Sequence, residues 1–401
     1  MPLQYFIPDW DDRVDPNYNF ITDTHTPARN PYRDDVYAHE LYSPPPYDGI
    51  LLSLATLDDN KIKRAMIQAA GSVHRYLRLP SNVNYQVIGD CGAFTYWQKE
   101  VPPYMTESVL ETYQSLGFNL GVSVDHLIFA ELDAEKERRW NITVSNAEEF
   151  LRLHRSAGYT FTPIGVVQGW DVASYQRGAR ALVQMGYEYI AVGGLVRSTA
   201  SEIIRTLQAV QEVLRPGMRV HLFGVSRPEY ATTFAQLGVT SFDSASRLRR
   251  AWMDGRRNYF VGDDVFTALR IPDAKGVAKK RGLDLAPIMV LEQQALTAVR
   301  AYAQNRLDQE TTLGALLEYA RGIGDVAPRT MEDYQITLDS RPWEQCSCSI
   351  CREVGVEVII FRGNNRNRRR GFHNTWQLYQ QLLSFSLKPL QPWSMQMELG
   401  L

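Results

Sequence analysis

Three cysteines and one histidine carry the sharpest chemical pattern in this chain. Cys346, Cys348 and Cys351 form a C-x-C-x2-C run, and His373 follows 22 positions after the last of them. Thiolate and imidazole are the ligands Zn2+ prefers, and four of them close its tetrahedral shell. A closed shell has no position for substrate, so the expected role of this Zn2+ is structural. The short cysteine spacing makes a knuckle, and the distant histidine ties a second segment to it. Two other readings stay open: three chance cysteines beside a surface histidine, and an iron–sulfur cluster. Tight clustering disfavours the first. The second lacks a fourth thiolate, because Cys91 stands far upstream at the end of an apolar run.

A second set of reactive positions ends a series of short apolar runs. The runs are DGILLSLA (48–55), YQVIGD (85–90), NLGVSVD (119–125), FTPIGVVQG (161–169), YEYIAVGG (187–194), RVHLFGV (219–225) and VTSFDSA (239–245). They finish on or beside Asp90, Asp125, Gln168, Gly193 with Gly194, Gly224 and Asp243. Any one of these could be an ordinary turn residue. Two carboxylates, an amide and a glycine pair falling in step point to a shared site, where carboxylates can serve as nucleophile and general acid/base.

The elements that would position these residues follow from the rhythm. Amphipathic segments such as SEIIRTLQAVQEVL separate the runs, with Ile203, Ile204, Leu207, Val210 and Val213 near helical spacing. Near-continuous apolar strands alternating with helices mean a parallel sheet covered on both faces. Seven such units suggest an α/β fold, a (β/α)8 TIM-like barrel, whose strand C-termini share one active face. Residues 1–48, rich in Pro, Asp and Tyr, read as an irregular segment packed on the barrel. The barrel with insertions is assigned to 49–340, and a zinc-binding subdomain with a C-terminal helix to 341–401.

The chain has 401 residues, 44% hydrophobic and 22% charged, which is enough for a large core. Its net charge of -2 excludes a polycation, so a nucleic-acid surface would have to be a local patch. No apolar run is long enough for a membrane helix, and MPLQYFIPDWDDR has no signal-peptide character. A soluble cytoplasmic protein with no membrane partner is expected.

The runs YIAVGGLVRS, HLFGVSRPE and GVTSFDSASRLRR, the upstream GDCGAFTYW and the C-x-C-x2-C…H pattern together resemble the tRNA-guanine transglycosylase superfamily, in the correct order over about 49–385. Cys91 and Ala93 stand where the tRNA enzymes usually have Ser and Gly, and SASRLRRAW replaces their L-P-T-R segment. The front segments FIPDWDDRVDPNYNF and DVYAHELYSPPPYDGILLS look like the DpdA-type branch, the 7-deazaguanine DNA transglycosylases.

The resemblance implies a glycosyltransferase (a pentosyltransferase) that exchanges guanine in DNA for a 7-deazaguanine base such as 7-cyano-7-deazaguanine (preQ0). It implies Asp243 as nucleophile, forming a covalent Asp–sugar intermediate, and Asp90 as general acid/base. Asp125 would read the base edge, with Gln168, Gly193, Gly194 and Leu195 around it and Phe94 or Tyr96 as an aromatic lid. Structural alternatives are a helix-capping Asp125 and a loop-bridging Gln168. A guanine flipped from the duplex stack calls for a basic rim. Arg247, Arg249 and Arg250, together with Arg366, Arg368, Arg369 and Arg370, are the expected phosphate contacts, against the plain reading of solvated faces. Companion DNA-modification proteins and a homodimer are further partners this reading admits. Its rivals are a tRNA transglycosylase with the same chemistry and a non-catalytic nucleic-acid-binding barrel subunit.

Overall fold

Eight parallel strands hydrogen-bond in chain order and close into a barrel in the computed structural model, which describes residues 3–81, 83–129, 133–326 and 329–386. They are β1 (Gln4–Pro8), β2 (Gly49–Ser53), β3 (Gln86–Asp90), β4 (Leu120–Val122), β5 (Thr162–Val167), β6 (Tyr189–Val192), β7 (Arg219–Leu222) and β8 (Val239–Asp243). Alternate residues point inward, as the period of a strand requires. Leu120 and Val122, Ile164 and Val166, and Tyr189 and Ala191 therefore fill the interior with Phe6, Leu51 and Ile88. The outward residues Val167, Ile190 and Val192 are also buried, because helices cover them. This double burial explains why the strands read as continuous apolar runs.

The helices start promptly after the strands because their first turns are capped. Asp171 accepts from Ser174 N at 2.7 Å to begin Val172–Met185. Thr199 and Glu202 form a reciprocal capping box that begins Ala200–Gln211. Such caps fix the loops that carry Gln168 and Gly194.

The strand assignment differs from the sequence expectation at the front. The segment read as irregular contains β1, which pairs with both β2 and β8 and closes the barrel. Tyr5, Phe6 and Ile7 are buried, and Tyr5 OH donates to Ser244 O at 2.7 Å. The eighth strand ends at Asp243, so no barrel strand lies between there and residue 340.

Two compact units emerge. One takes Met1–Trp10 and Tyr47–Ala245 together with the chain from Leu382, and holds the barrel. The other joins Asp11–Pro46 to Ser246–Gln381. Within it stand the helices Leu285–Ala303, Gln309–Gly322 and Thr330–Ser340 and most of the helix Gly363–Ser386. No described helix is long and apolar enough to cross a membrane.

Candidate active site and metal centre

The C-terminal ends of the barrel strands gather the residues singled out in the sequence. Asp90 ends β3, and its Oδ2 accepts from Gly92 N at 3.0 Å. Gly92 has φ +78, and a Cβ there would lie 2.4 Å from Ser53 Oγ, so this turn requires glycine. Burial pushes the Asp90 carboxyl up to about 7, helped by the negative charges of Asp125 and Asp243. The three carboxylates thus share one electrostatic environment, and one of them holds its proton near neutral pH.

Asp125 lies just beyond β4 and is buried. Gln168 Nε2 donates to its Oδ2 at 2.7 Å, and Tyr96 OH donates to its backbone O at 3.1 Å. Burial raises the Asp125 carboxyl to about 6, against the lowering effect of the Gln168 bond. Gln168 Oε1 is buried without a partner, and so is Ser53 Oγ at the end of β2. Unsatisfied buried acceptors are rare, and two at one strand-end face mark a place where a polar ligand fits.

The glycine pair divides its work. Gly193 N donates to Val167 O at 3.0 Å and its O accepts from Tyr175 OH at 2.9 Å, so its polar groups are taken. A Cβ on Gly193 would sit 2.4 Å from Gln168 Nε2, so its contribution is room. The N–H groups of Gly194 and Leu195 donate to no group among the described residues. Phe94 is exposed, with its ring 6.5 Å from that of Phe129.

Asp243 ends β8 and is nearly buried. Its Oδ1 accepts from Gly224 N at 3.0 Å and lies 3.2 Å from His221 Nε2. His221 Nδ1 is 2.7 Å from Ser241 Oγ, which is 2.5 Å from Tyr189 OH. The sequence reading missed His221, Ser241 and Tyr189. A lone histidine inside RVHLFGV carries no signal until strand register sets it beside Ser241.

In the other unit, Cys346, Cys348, Cys351 and His373 come together, all buried, with their ligand atoms within 4.8 Å of one another. His373 Nδ1 lies 3.5, 3.5 and 3.3 Å from the three sulfurs. A tetrahedral zinc with bonds of about 2.3 Å to sulfur and about 2.0 Å to nitrogen has S···N edges of about 3.6 Å. The donor set and its spacing therefore fit such a metal. His373 Nε2 donates to Phe260 O at 2.6 Å, which turns Nδ1 towards the sulfurs. Tyr259 OH and Gln377 Nε2 contact Cys351 and Cys346 at 3.0 and 3.3 Å, and the Tyr259 ring stacks on His373 at 4.1 Å.

The expected phosphate contacts from the C-terminal helix are corrected. Arg366, Arg369 and Arg370 are at most 1% exposed. Arg366 pairs with Asp23 and Glu357, Arg369 bonds Asn365 and Asp15 O, and Arg370 bonds Ala251 O and Val358 O. A guanidinium committed to buried partners cannot reach a phosphate. Arg368 is one-third exposed and bonds Arg13 O at 3.1 Å. Arg250 is exposed, Arg249 partly so, and Arg247 lies 3.8 Å over the Phe260 ring.

Comparison with known proteins bears on this geometry. The family model described as queuine tRNA-ribosyltransferase matches residues 61–360. A DNA-guanine transglycosylase of Salmonella montevideo is 41% identical over 95% of this chain and 96% of that protein. The tRNA-guanine(15) transglycosylases of Korarchaeum cryptofilum and Pyrococcus abyssi are 25% and 27% identical, over 40% and 39% of this chain and 28% and 27% of their own lengths.

Proposed function

This chain belongs to the queuine tRNA-ribosyltransferase family, and on that premise we propose that it exchanges guanine in DNA for a 7-deazaguanine base. The observation that carries the choice of DNA is the end-to-end match to a DNA-guanine transglycosylase, beside partial and weaker matches to the tRNA enzymes. The chemistry is a double displacement at C1′. Asp243 attacks C1′ as the bond to guanine N9 breaks, giving a covalent Asp–sugar intermediate. Asp90 supplies a proton to the departing guanine. A carboxyl that keeps its proton up to about pH 7 suits that role. The incoming base then loses its N9 proton to Asp90, and N9 displaces Asp243 from C1′. One base leaves and one enters, with no redox change.

Asp125 accepts the ring N–H and exocyclic amine of the base, next to Gln168. The N–H groups of Gly194 and Leu195 donate to the base carbonyl, and the exposed Phe94 ring covers it. The target guanine leaves the stack to enter the strand-end face. Arg247, Arg249, Arg250 and Arg368 contact phosphates. Cys346, Cys348, Cys351 and His373 hold a structural Zn2+, which fixes the local fold and takes no chemical part.

Nucleoside mass spectrometry tests the reading. DNA and tRNA are each incubated with the protein and 7-cyano-7-deazaguanine, then digested. The modified deoxynucleoside is expected in the DNA digest. Modification confined to the tRNA digest would overturn the choice of DNA.

A further inference from the structure

Asp243 receives two donors on one oxygen and none on the other. Gly224 N–H and His221 Nε2 both meet Oδ1, while Oδ2 accepts no bond among the described residues. We propose that His221 is a positioning residue for the exchange reaction: it anchors Asp243 Oδ1 so that Oδ2 is presented to the sugar. This rests on Asp243 being the nucleophile.

The barrel's layering builds the anchor. His221 on β7 stands opposite Ser241 on β8 and Ala191 on β6, Tyr189 lies one inward position below Ala191, and Asp243 stands one inward position above Ser241. His221 is fully buried and bridges the two levels. The rings of Phe6 and Phe223 lie 6.0 and 4.8 Å away, steeply inclined to it, and the imidazole makes no further hydrogen bond among the described residues. The chain of bonds is satisfied in one direction. Tyr189 donates to Ser241 Oγ, Ser241 donates to Nδ1, and Nε2–H is left to donate to Asp243. The carboxylate, which can only accept, thus fixes the proton on Nε2, and the hydroxyls are free to satisfy Nδ1. A carboxylate held in one rotamer, with one oxygen committed, starts near the attack geometry.

The test separates anchoring from packing by which ring nitrogen is replaced. In His221→Gln the side-chain amide reaches roughly where Nε2 lies, and in His221→Asn roughly where Nδ1 lies. His221→Phe keeps the bulk and removes both. Steady-state guanine exchange into DNA is followed against pH, with a thermal melt of each variant. His221→Phe and His221→Asn are expected to lower kcat by about 10- to 100-fold with KM for DNA changed less than about 3-fold. Their acidic limb in kcat/KM moves up by about one pH unit, because a carboxylate loses a donor. His221→Gln restores the limb. The carboxyls that share this electrostatic environment with Asp243, Asp90 and Asp125, are unchanged in all three. Equal kcat and equal limbs in all three variants and the parent overturn the proposal. So does a common loss of kcat that follows the melting temperature with the limb fixed. Asp243→Ala serves as the separate control: exchange persisting there sinks the nucleophile reading itself.

Discussion

Gln168 donates its amide to Asp125 Oδ2 at 2.7 Å while its own Oε1 stays buried without a partner. A buried acceptor left unpaired costs about 1–3 kcal/mol, so the pair is incomplete until a ligand with donors arrives. A guanine-like edge supplies them. Gln168→Ala is expected to raise KM for the free incoming base by about 10-fold and to weaken use of the target guanine, which enters the same pocket, in parallel. Asp125→Asn replaces an acceptor oxygen with an NH2 donor facing the base's own donors and is expected to cost about 100-fold or more. Incorporation of isotope-labelled base at graded concentrations reads both. An unchanged KM in the two variants places base recognition elsewhere.

Asp90 makes activity and stability pull in opposite directions. Its carboxyl is raised from 3.8 to about 7 by burial and by the charges of Asp125 and Asp243. Below pH ~4 it is neutral in both folded and unfolded chains and costs nothing. Between those values the unfolded chain gives up its proton and the folded one keeps it, so stability falls as pH rises. Asp90→Asn is therefore expected to gain up to about 4 kcal/mol against urea at pH 8 and almost nothing at pH 4. In the proposed mechanism the same proton releases guanine, so the parent's exchange rate should fall as pH rises through about 7. A variant no more stable at pH 8 than the parent contradicts this account of the site.

Metal removal should act on folding before chemistry. The four ligands lie in the unit that contains neither Asp90 nor Asp243. Chelation under mild denaturant is expected to release zinc and lower the melting temperature by about 5–10 °C or more. Cys351→Ser should purify with less metal and melt early. Full metal loss with an unchanged melt would rule out a structural role.

The arginines divide into two classes with opposite signatures. Arg366→Ala removes one buried partner from each of Asp23 and Glu357, which keep Arg362 and Arg300, and is expected to cost about 1.5–3 kcal/mol of stability. Arg249→Ala and Arg250→Ala should hardly move stability. Each is expected to reduce the slope of log binding constant against log salt by about 1. Equilibrium unfolding and DNA binding at several salt concentrations distinguish them. A salt slope unaffected by Arg249→Ala and Arg250→Ala removes them from the interface.

What could be read from the sequence was local. The Cys346, Cys348, Cys351 and His373 cluster announces itself by spacing, and Asp90, Asp125, Gln168 and Asp243 stand out by ending apolar runs. β1 escaped because QYFIP sits between prolines and acidic residues, and its partners are β2 and, more than 200 residues later, β8. RNRRR reads as a set of phosphate contacts, but Arg366 is buried against Asp23, some 343 positions before it. His221 carries no signal of its own inside RVHLFGV. Only the register between β7 and β8 reveals that it touches Ser241 and Asp243.

Trapping the covalent intermediate tests the central claim most directly. Protein and guanine-containing DNA are mixed without an incoming base, denatured, and digested for peptide mapping. The account predicts guanine release and one DNA-linked peptide carrying the bond on Asp243, absent from Asp243→Asn. A DNA link on another residue, or base exchange at the parent's rate in Asp243→Asn, would contradict it.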